Sequence, residues 1–213
     1  MNELYHLKIN EDQIEVASGV LSRAFQDDPL FIYLYPNSLE RKKNCFIHCE
    51  HLILLGILSG EVYITSSKIE GVSVWHPSGI PNVVIGSQSK DIIRKLRKIR
   101  RELFSDPIST EKYSTFNEII NSFQNVNVNF PHWYLSFIGV DPINQGKGYG
   151  NMLLKTKLAE IDGQNLDCFL HTENEKNIQI YKHFGFEIVA KLTIPNSELN
   201  AWAMVRKKKG DQK

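Results

Sequence analysis

Cysteine is scarce in this chain: Cys45, Cys49 and Cys168 are the three in 213 residues. An odd, sparse set in a chain of this size excludes a disulfide scaffold and fits a reducing compartment, so a cytoplasmic protein is expected. Long apolar runs are missing too. The longest, Leu52–Leu58, falls far short of the ~20 residues that span a bilayer. The opening MNELYHLKINEDQIEV has no basic stretch followed by an apolar core, so no secretory signal is read there. Nor does one sign of charge dominate: 25 Lys+Arg face 24 Asp+Glu, for a formal net charge of +1. No whole-chain field draws nucleic acid or an anionic membrane, and neither partner is expected. What is present is an ordinary globular composition, 42% hydrophobic and 23% charged. It suffices for one well-filled core, expected as a single domain over 1–206 with a disordered Lys-rich tail over 207–213.

Periodicity divides the chain into elements. Residues 4–8 read as a short strand, and Asn10 opens an approximate capping box for a helix to Phe25. Asp27-Asp28-Pro29 breaks that pattern, and the aromatic stretch Phe31–Tyr35 ends at Pro36. A longer helix is predicted from Ser38 to Leu58, then a hairpin of Glu61–Ser66 and Gly71–His76, then a turn at Pro77–Pro81. Helical spacing returns over 89–103 and 109–123. The second half alternates: strand His132–Val140, helix Tyr149–Ile161, strand Leu166–Thr172, helix Glu175–Phe184, and strands near 186–194 and 200–206.

The chemistry concentrates where the first of those later strands ends. Val140-Asp141-Pro142 is followed by Gln145-Gly146-Lys147-Gly148-Tyr149-Gly150 and then by a helix. Alternate glycines let backbone N–H groups converge without Cβ interference, at the positive end of a helix dipole where a pyrophosphate is stabilised. Two familiar phosphate loops do not match. A Walker loop needs Ser or Thr after Gly-Lys, but Gly148 follows Lys147; a dinucleotide fingerprint needs a third glycine where Asn151 stands.

The motif instead resembles the pyrophosphate loop of the GNAT superfamily of N-acetyltransferases, which reads Gln/Arg-x-x-Gly-x-Gly/Ala after a Val-x-Pro strand end. A second segment agrees: Asn174 and Asn177 lead into Tyr181-Lys182-His183-Phe184-Gly185-Phe186, similar to the family's strand-Asn-x-x-Asn-helix and Tyr-x-x-x-Gly-Phe. Asn177 and Tyr181 are four apart and share a helix face. The likeness covers 130–206, and His132-Trp133-Tyr134-Leu135 with Asn144–Gly148 and Leu170-x-Thr172 is similar to the puromycin N-acetyltransferase subgroup. The resemblance implies an α/β (α+β) fold with a mixed, mostly antiparallel central sheet flanked by helices and a splayed coenzyme-binding cleft.

It also implies direct transfer of an acetyl group from acetyl-coenzyme A, as co-substrate, to a primary amine of a small molecule, without a metal. The amides of Gly146, Lys147, Gly148, Tyr149 and Gly150 would cradle the pyrophosphate beside Gln145. The backbone of Ile138, Gly139 and Val140 would pair with the pantetheine arm, and Asn174 and Asn177 would complete the site. Tyr181 is the candidate donor to the departing thiolate, since a phenol of pKa ~10 stays protonated at neutral pH. For the base, members often have Glu where this chain has His171, so that role does not carry over. His171 is the first candidate on its unperturbed pKa of ~6.5, with Glu173, His132 or water behind it.

Asp27, Asp28, Phe31, Tyr33, Tyr35 and Trp75 are candidate acceptor-pocket residues, a carboxylate attracting a cationic amine and an aromatic stacking on it. Cys45, His48, Cys49 and His51 share a helix face but lack a ligand pair from a second element, so half-buried packing residues are expected rather than a metal site. The seven basic residues within 90–101 read as a solvated helix face. A peptide N-acetyltransferase and a non-catalytic coenzyme A-binding module are the alternatives, and a monomer or homodimer is expected.

Overall fold

The computed structural model describes residues 5–6, 11–79, 90–128 and 131–208. Its β-branched and aromatic segments form seven strands: β1 (Tyr5–His6), β2 (Glu61–Ile64), β3 (Gly71–Ser78), β4 (His132–Val140), β5 (Asp167–Thr172), β6 (Glu187–Thr193) and β7 (Asn200–Arg206). They make one sheet in the order β1-β2-β3-β4-β5-β7-β6, and β4–β5 is the parallel pair in an otherwise antiparallel arrangement. This is the mixed, mostly antiparallel sheet expected from the sequence. The helices are α1 (Glu11–Phe25), α2 (Pro29–Leu34), α3 (Ser38–Ser59), α4 (Lys90–Leu103), α5 (Pro107–Asn127), α6 (Tyr149–Gly163) and α7 (Lys176–His183), with a 3-10 turn at Pro142–Asn144.

Side-chain alternation along the strands separates two cores. On one face Phe169 joins Ile14, Leu21, Phe31, Ile53 and Val74 beneath α1, α2 and α3, with α4 and α5 packed outside them. On the other, Cys168 and Leu170 join Trp75, Trp133, Leu153, Leu158 and Tyr181 beneath α6 and α7. Trp133 and Trp75 are both fully buried there.

The sequence reading needs three corrections. The stretch before Pro36 contains a helix, α2, because the Asp28 side chain accepts from the Leu30 amide at 3.0 Å and Pro29 supplies the first helical residue. The same Asp-Pro device starts α5 earlier than expected, with Asp106 accepting from Ser109 N–H at 2.8 Å. Lys207 and Lys208 do not begin a loose tail: the Lys207 ammonium lies 3.2 Å from Asp167, and the Lys208 amide donates to the same carboxylate at 2.9 Å. Asn10, Pro81 and 209–213 lie outside the described residues. No described helix is long and apolar enough to cross a membrane.

Candidate active site

The parallel ladder between β4 and β5 runs from His132↔Asp167 to Leu135↔Leu170 and stops. Beyond it, β4 continues to Val140 paired only with β3, while β5 continues to Thr172 paired only with β7. The strands part at a bulge: the β3–β4 register shifts between Val74 and Trp75, leaving Ser136 as the extra residue, its hydroxyl on Val74 C=O at 3.2 Å. A bulge bends its strand and re-aims the residues after it. The Ile138–Val140 backbone edge therefore faces an opening rather than β5.

That opening is a cleft of about 970 Å³ lined by Ile138, Gly139, Val140, Gln145, Gly146, Gly148, Tyr149, Gly150, Asn174, Asn177 and Tyr181, among others. The glycine loop forms one end. Gly146 and Gly148 have φ of +77° and +85°, where other residues are strained, and a Cβ on either would meet nothing within 4 Å. The loop thus turns bare backbone to open space. Gly148 is the N-cap of α6 and no side chain caps the helix, so its first amides are left for a ligand. These features fit a pyrophosphate.

At the other end the cleft narrows to a chamber of about 40 Å³, lined in part by Asp28, Phe31, His171, Glu173, Asn177 and Tyr181. The His171 ring is held on both sides: Nδ1 lies 2.8 Å from a Glu173 carboxylate oxygen and Nε2 lies 2.7 Å from the Tyr134 hydroxyl. With Nδ1–H donating to the carboxylate, Nε2 accepts from the phenol. Phe116 of α5 packs edge-on against this ring, with centroids 5.5 Å apart. Tyr181 is buried, and its pKa is raised by burial first and then by the charges of Glu173 and Asp28. Burial, then the Glu173 charge, pushes the Asp28 carboxyl up to about 7.

Residues 113–188 match the model of the acetyltransferase (GNAT) domain family. That stretch, about a third of the chain, is similar to the GNAT acetyltransferase domain. An uncharacterised N-acetyltransferase of Schizosaccharomyces pombe is 25% identical over 97% of this chain and 84% of its own length. Among solved structures, a histone acetyltransferase HPA2-related acetyltransferase of Corynebacterium glutamicum superposes with a TM-score of 0.62 at 19% identity, covering 96% of each chain. A Drosophila melanogaster polyamine N-acetyltransferase, which forms N-acetylagmatine, superposes at 0.58 and 11% identity, covering 95% of this chain and 99% of its own. The chain is an acetyltransferase, and the GNAT family generally uses acetyl-coenzyme A as co-substrate.

Several of the candidate residues fall away from the cleft. His132 is fully buried at the closed end of the fork, 2.7 Å from the Gln124 side chain, and is not among the cleft residues. Trp75 lies in the α6 core with its indole N–H on Ser73 at 3.0 Å, and Tyr35 is core packing beside Phe31. Tyr33 packs under the Lys112 ammonium, 4.8 Å from its ring centroid. The Lys147 side chain folds back on Ile143 C=O at 3.0 Å and Asn144 Oδ1 at 2.9 Å, and Lys147 is not among the residues that line the cleft. Cys45, His48, Cys49 and His51 are buried rather than half-buried, and among the described residues no group of three or more His, Cys, Asp or Glu is arranged to hold a metal. Asp28 was legible as a lining carboxylate; the influence of the Glu173 charge on it was not, because the two come from distant segments.

Asp28 carries a test. From about pH 4, near its ordinary value of 3.8, to about pH 7, the folded chain keeps a proton there that the unfolded chain has released. Stability therefore falls as pH rises through that window, by up to ~1.4 kcal/mol per pH unit. Asp28→Asn retains a capping oxygen for α2 and removes the slope. Unfolding midpoints of the two proteins should separate progressively from pH 4 to 7, the variant becoming relatively more stable; parallel curves would refute the shift.

Proposed function

We propose that this chain moves the acetyl group of acetyl-coenzyme A to a primary amine of a small molecule by direct attack. The observation that carries the reading is a pair of adjoining cavities that share Asp28, Ile138, Asn177 and Tyr181, the larger lined by an uncapped glycine loop and the smaller by His171 and Glu173. Acetyl-coenzyme A supplies the activated thioester. The amides of Gly146, Lys147, Gly148, Tyr149 and Gly150 would hold its pyrophosphate, with Gln145, Asn174 and Asn177 alongside. The edge of Ile138, Gly139 and Val140 would take its extended arm as an added strand, and an amide there would donate to the carbonyl oxygen as negative charge develops.

The proton balance assigns the rest. An ammonium has no lone pair, so His171 Nε2 takes a proton from the amine, by way of the Tyr134 hydroxyl, while Glu173 stabilises the charged ring. As the N–C bond forms and the C–S bond breaks, Tyr181 gives its phenolic proton to the departing sulfur and is reprotonated by the second proton that the nitrogen sheds in becoming an amide, while His171 returns the first to solvent. Glu173, joined by Asp28 once the pH passes about 7, brings negative charge to the chamber, which favours a cationic amine, and its small size disfavours a folded peptide segment. The polyamine enzyme with the similar fold supports the same acceptor class, and the motif likeness to the puromycin subgroup adds aminonucleosides.

The test is thiol release from acetyl-coenzyme A by purified protein, across polyamines, arylalkylamines, aminonucleosides, aminoglycosides and peptides. Release dependent on a small amine is expected. Release with peptides alone would shift the reading to a peptide acetyltransferase, and binding of acetyl-coenzyme A without release would leave a coenzyme-binding module.

A further inference from the structure

The basic helix α4 divides into two sets of side chains. Arg94 and Lys95 are committed, to Asp91 at 3.1 Å and Glu50 at 2.8 Å. Arg97, Arg100 and Arg101 have no ion pair among the described residues; they follow one another at i, i+3 and i+4 and line one wall of a groove of about 810 Å³ between α4 and α5. The opposite wall is polar at helical spacing: Thr110, Ser114, Asn117 and Asn121. Aromatic rings complete it. Phe104 and Tyr113 have centroids 5.8 Å apart, His51 meets Phe104 edge-on at 5.9 Å, and the Arg100 guanidinium lies 5.9 Å from the Phe104 centroid. Burial lowers the His51 pKa to about 4, so its ring is neutral, and its buried Nδ1 has no hydrogen-bond partner. Glu118 also lines the groove and accepts from Ser114 at 3.2 Å. No lining residue is shared with the acetyltransferase cleft.

We infer that this groove binds a small phosphate monoester with an aromatic body, at a site separate from the acetyl-coenzyme A cleft. Guanidinium forks match phosphate oxygens, and three of them suit a dianion better than a single carboxylate charge. The polar wall supplies hydroxyl and amide partners, and Phe104 and Tyr113 supply stacking surface. The assignment does not depend on the transferase reading.

The experiment is calorimetric titration of the full chain with phenyl phosphate and with inorganic phosphate, with and without saturating acetyl-coenzyme A, and repeated on the Arg97→Gln/Arg101→Gln double variant. The expected result is saturable 1:1 binding of phenyl phosphate, tighter than inorganic phosphate, unchanged by acetyl-coenzyme A, and weakened at least about tenfold in the variant, whose circular dichroism matches wild type. Absence of binding, loss of binding with acetyl-coenzyme A, or an unaffected variant overturns it. So does sedimentation with phosphatidylserine vesicles in the absence of phenyl phosphate binding, which would make the arginines a membrane-facing patch. Failure of acetyl-coenzyme A to bind would count against the proposed function and leave this titration readable.

Discussion

Tyr181→Phe lowers kcat by roughly 10²–10⁴-fold, the range expected when a positioned proton donor is removed, while KM for acetyl-coenzyme A changes little. The substitution deletes one oxygen and keeps the ring, which packs edge-on against Phe186 with centroids 6.0 Å apart. The fold and the cleft are therefore retained. What is lost is a proton held ready beside the departing sulfur. Burial first, then the negative charges of Glu173 and Asp28, keeps that phenol protonated well beyond its ordinary range. Its ionisation thus places no alkaline limb on the wild-type rate below about pH 10, the unperturbed value. Steady-state thiol release with a saturating amine, alongside an unfolding midpoint for the variant, separates the effect from misfolding. A variant that folds normally and turns over at the wild-type rate would remove Tyr181 from the mechanism and leave solvent as the donor.

Where the sequence was legible, one local pattern served both fold and site. The strand end at Val140, the glycines at 146 and 148 and the helix after them had to be contiguous to work, so their order was visible in the chain. The cleft's other end is assembled from segments far apart. Asp28 comes from the start of α2, Glu173 and His171 from the end of β5, Tyr134 from β4, and only packing brings them together. No periodicity encodes that meeting. The Asp-Pro pairs show a second limit. Asp28-Pro29, Asp106-Pro107 and Asp141-Pro142 each end one element, yet each also caps the next, because the carboxylate accepts from a following amide and proline cannot use that bond. Reading such a pair only as a break lost α2. His132 and Trp75 misled for the opposite reason: residue types suited to a site were spent on packing at the closed end of the sheet.

The position of the glycine loop also rests on a buried charge, and removing one of its partners has a large expected effect on stability. Lys157, on α6, has its side chain 1% exposed and pairs with Glu61 of β2 and, at 2.8 Å, with Glu160. Its ammonium also sits 3.7 Å from the Trp133 ring centroid, and the Tyr63 hydroxyl donates to Glu61 at 2.9 Å. The cluster ties α6 to β2 and β4, the strands behind the cleft. Glu61→Ala strands much of that buried charge, and breaking a buried pair in this way destabilises by about 3–5 kcal/mol. Adding Lys157→Met removes the stranded ammonium while keeping an unbranched side chain, so the Glu61→Ala/Lys157→Met double variant should recover much of the loss, with a coupling of about 2 kcal/mol or more in denaturant unfolding. Additive single and double losses would mean that the ammonium is satisfied by Glu160 and Trp133 alone. A recovered fold with a raised KM for acetyl-coenzyme A would show instead that the charge holds α6, and with it the uncapped amides at Gly148, in register with the cleft.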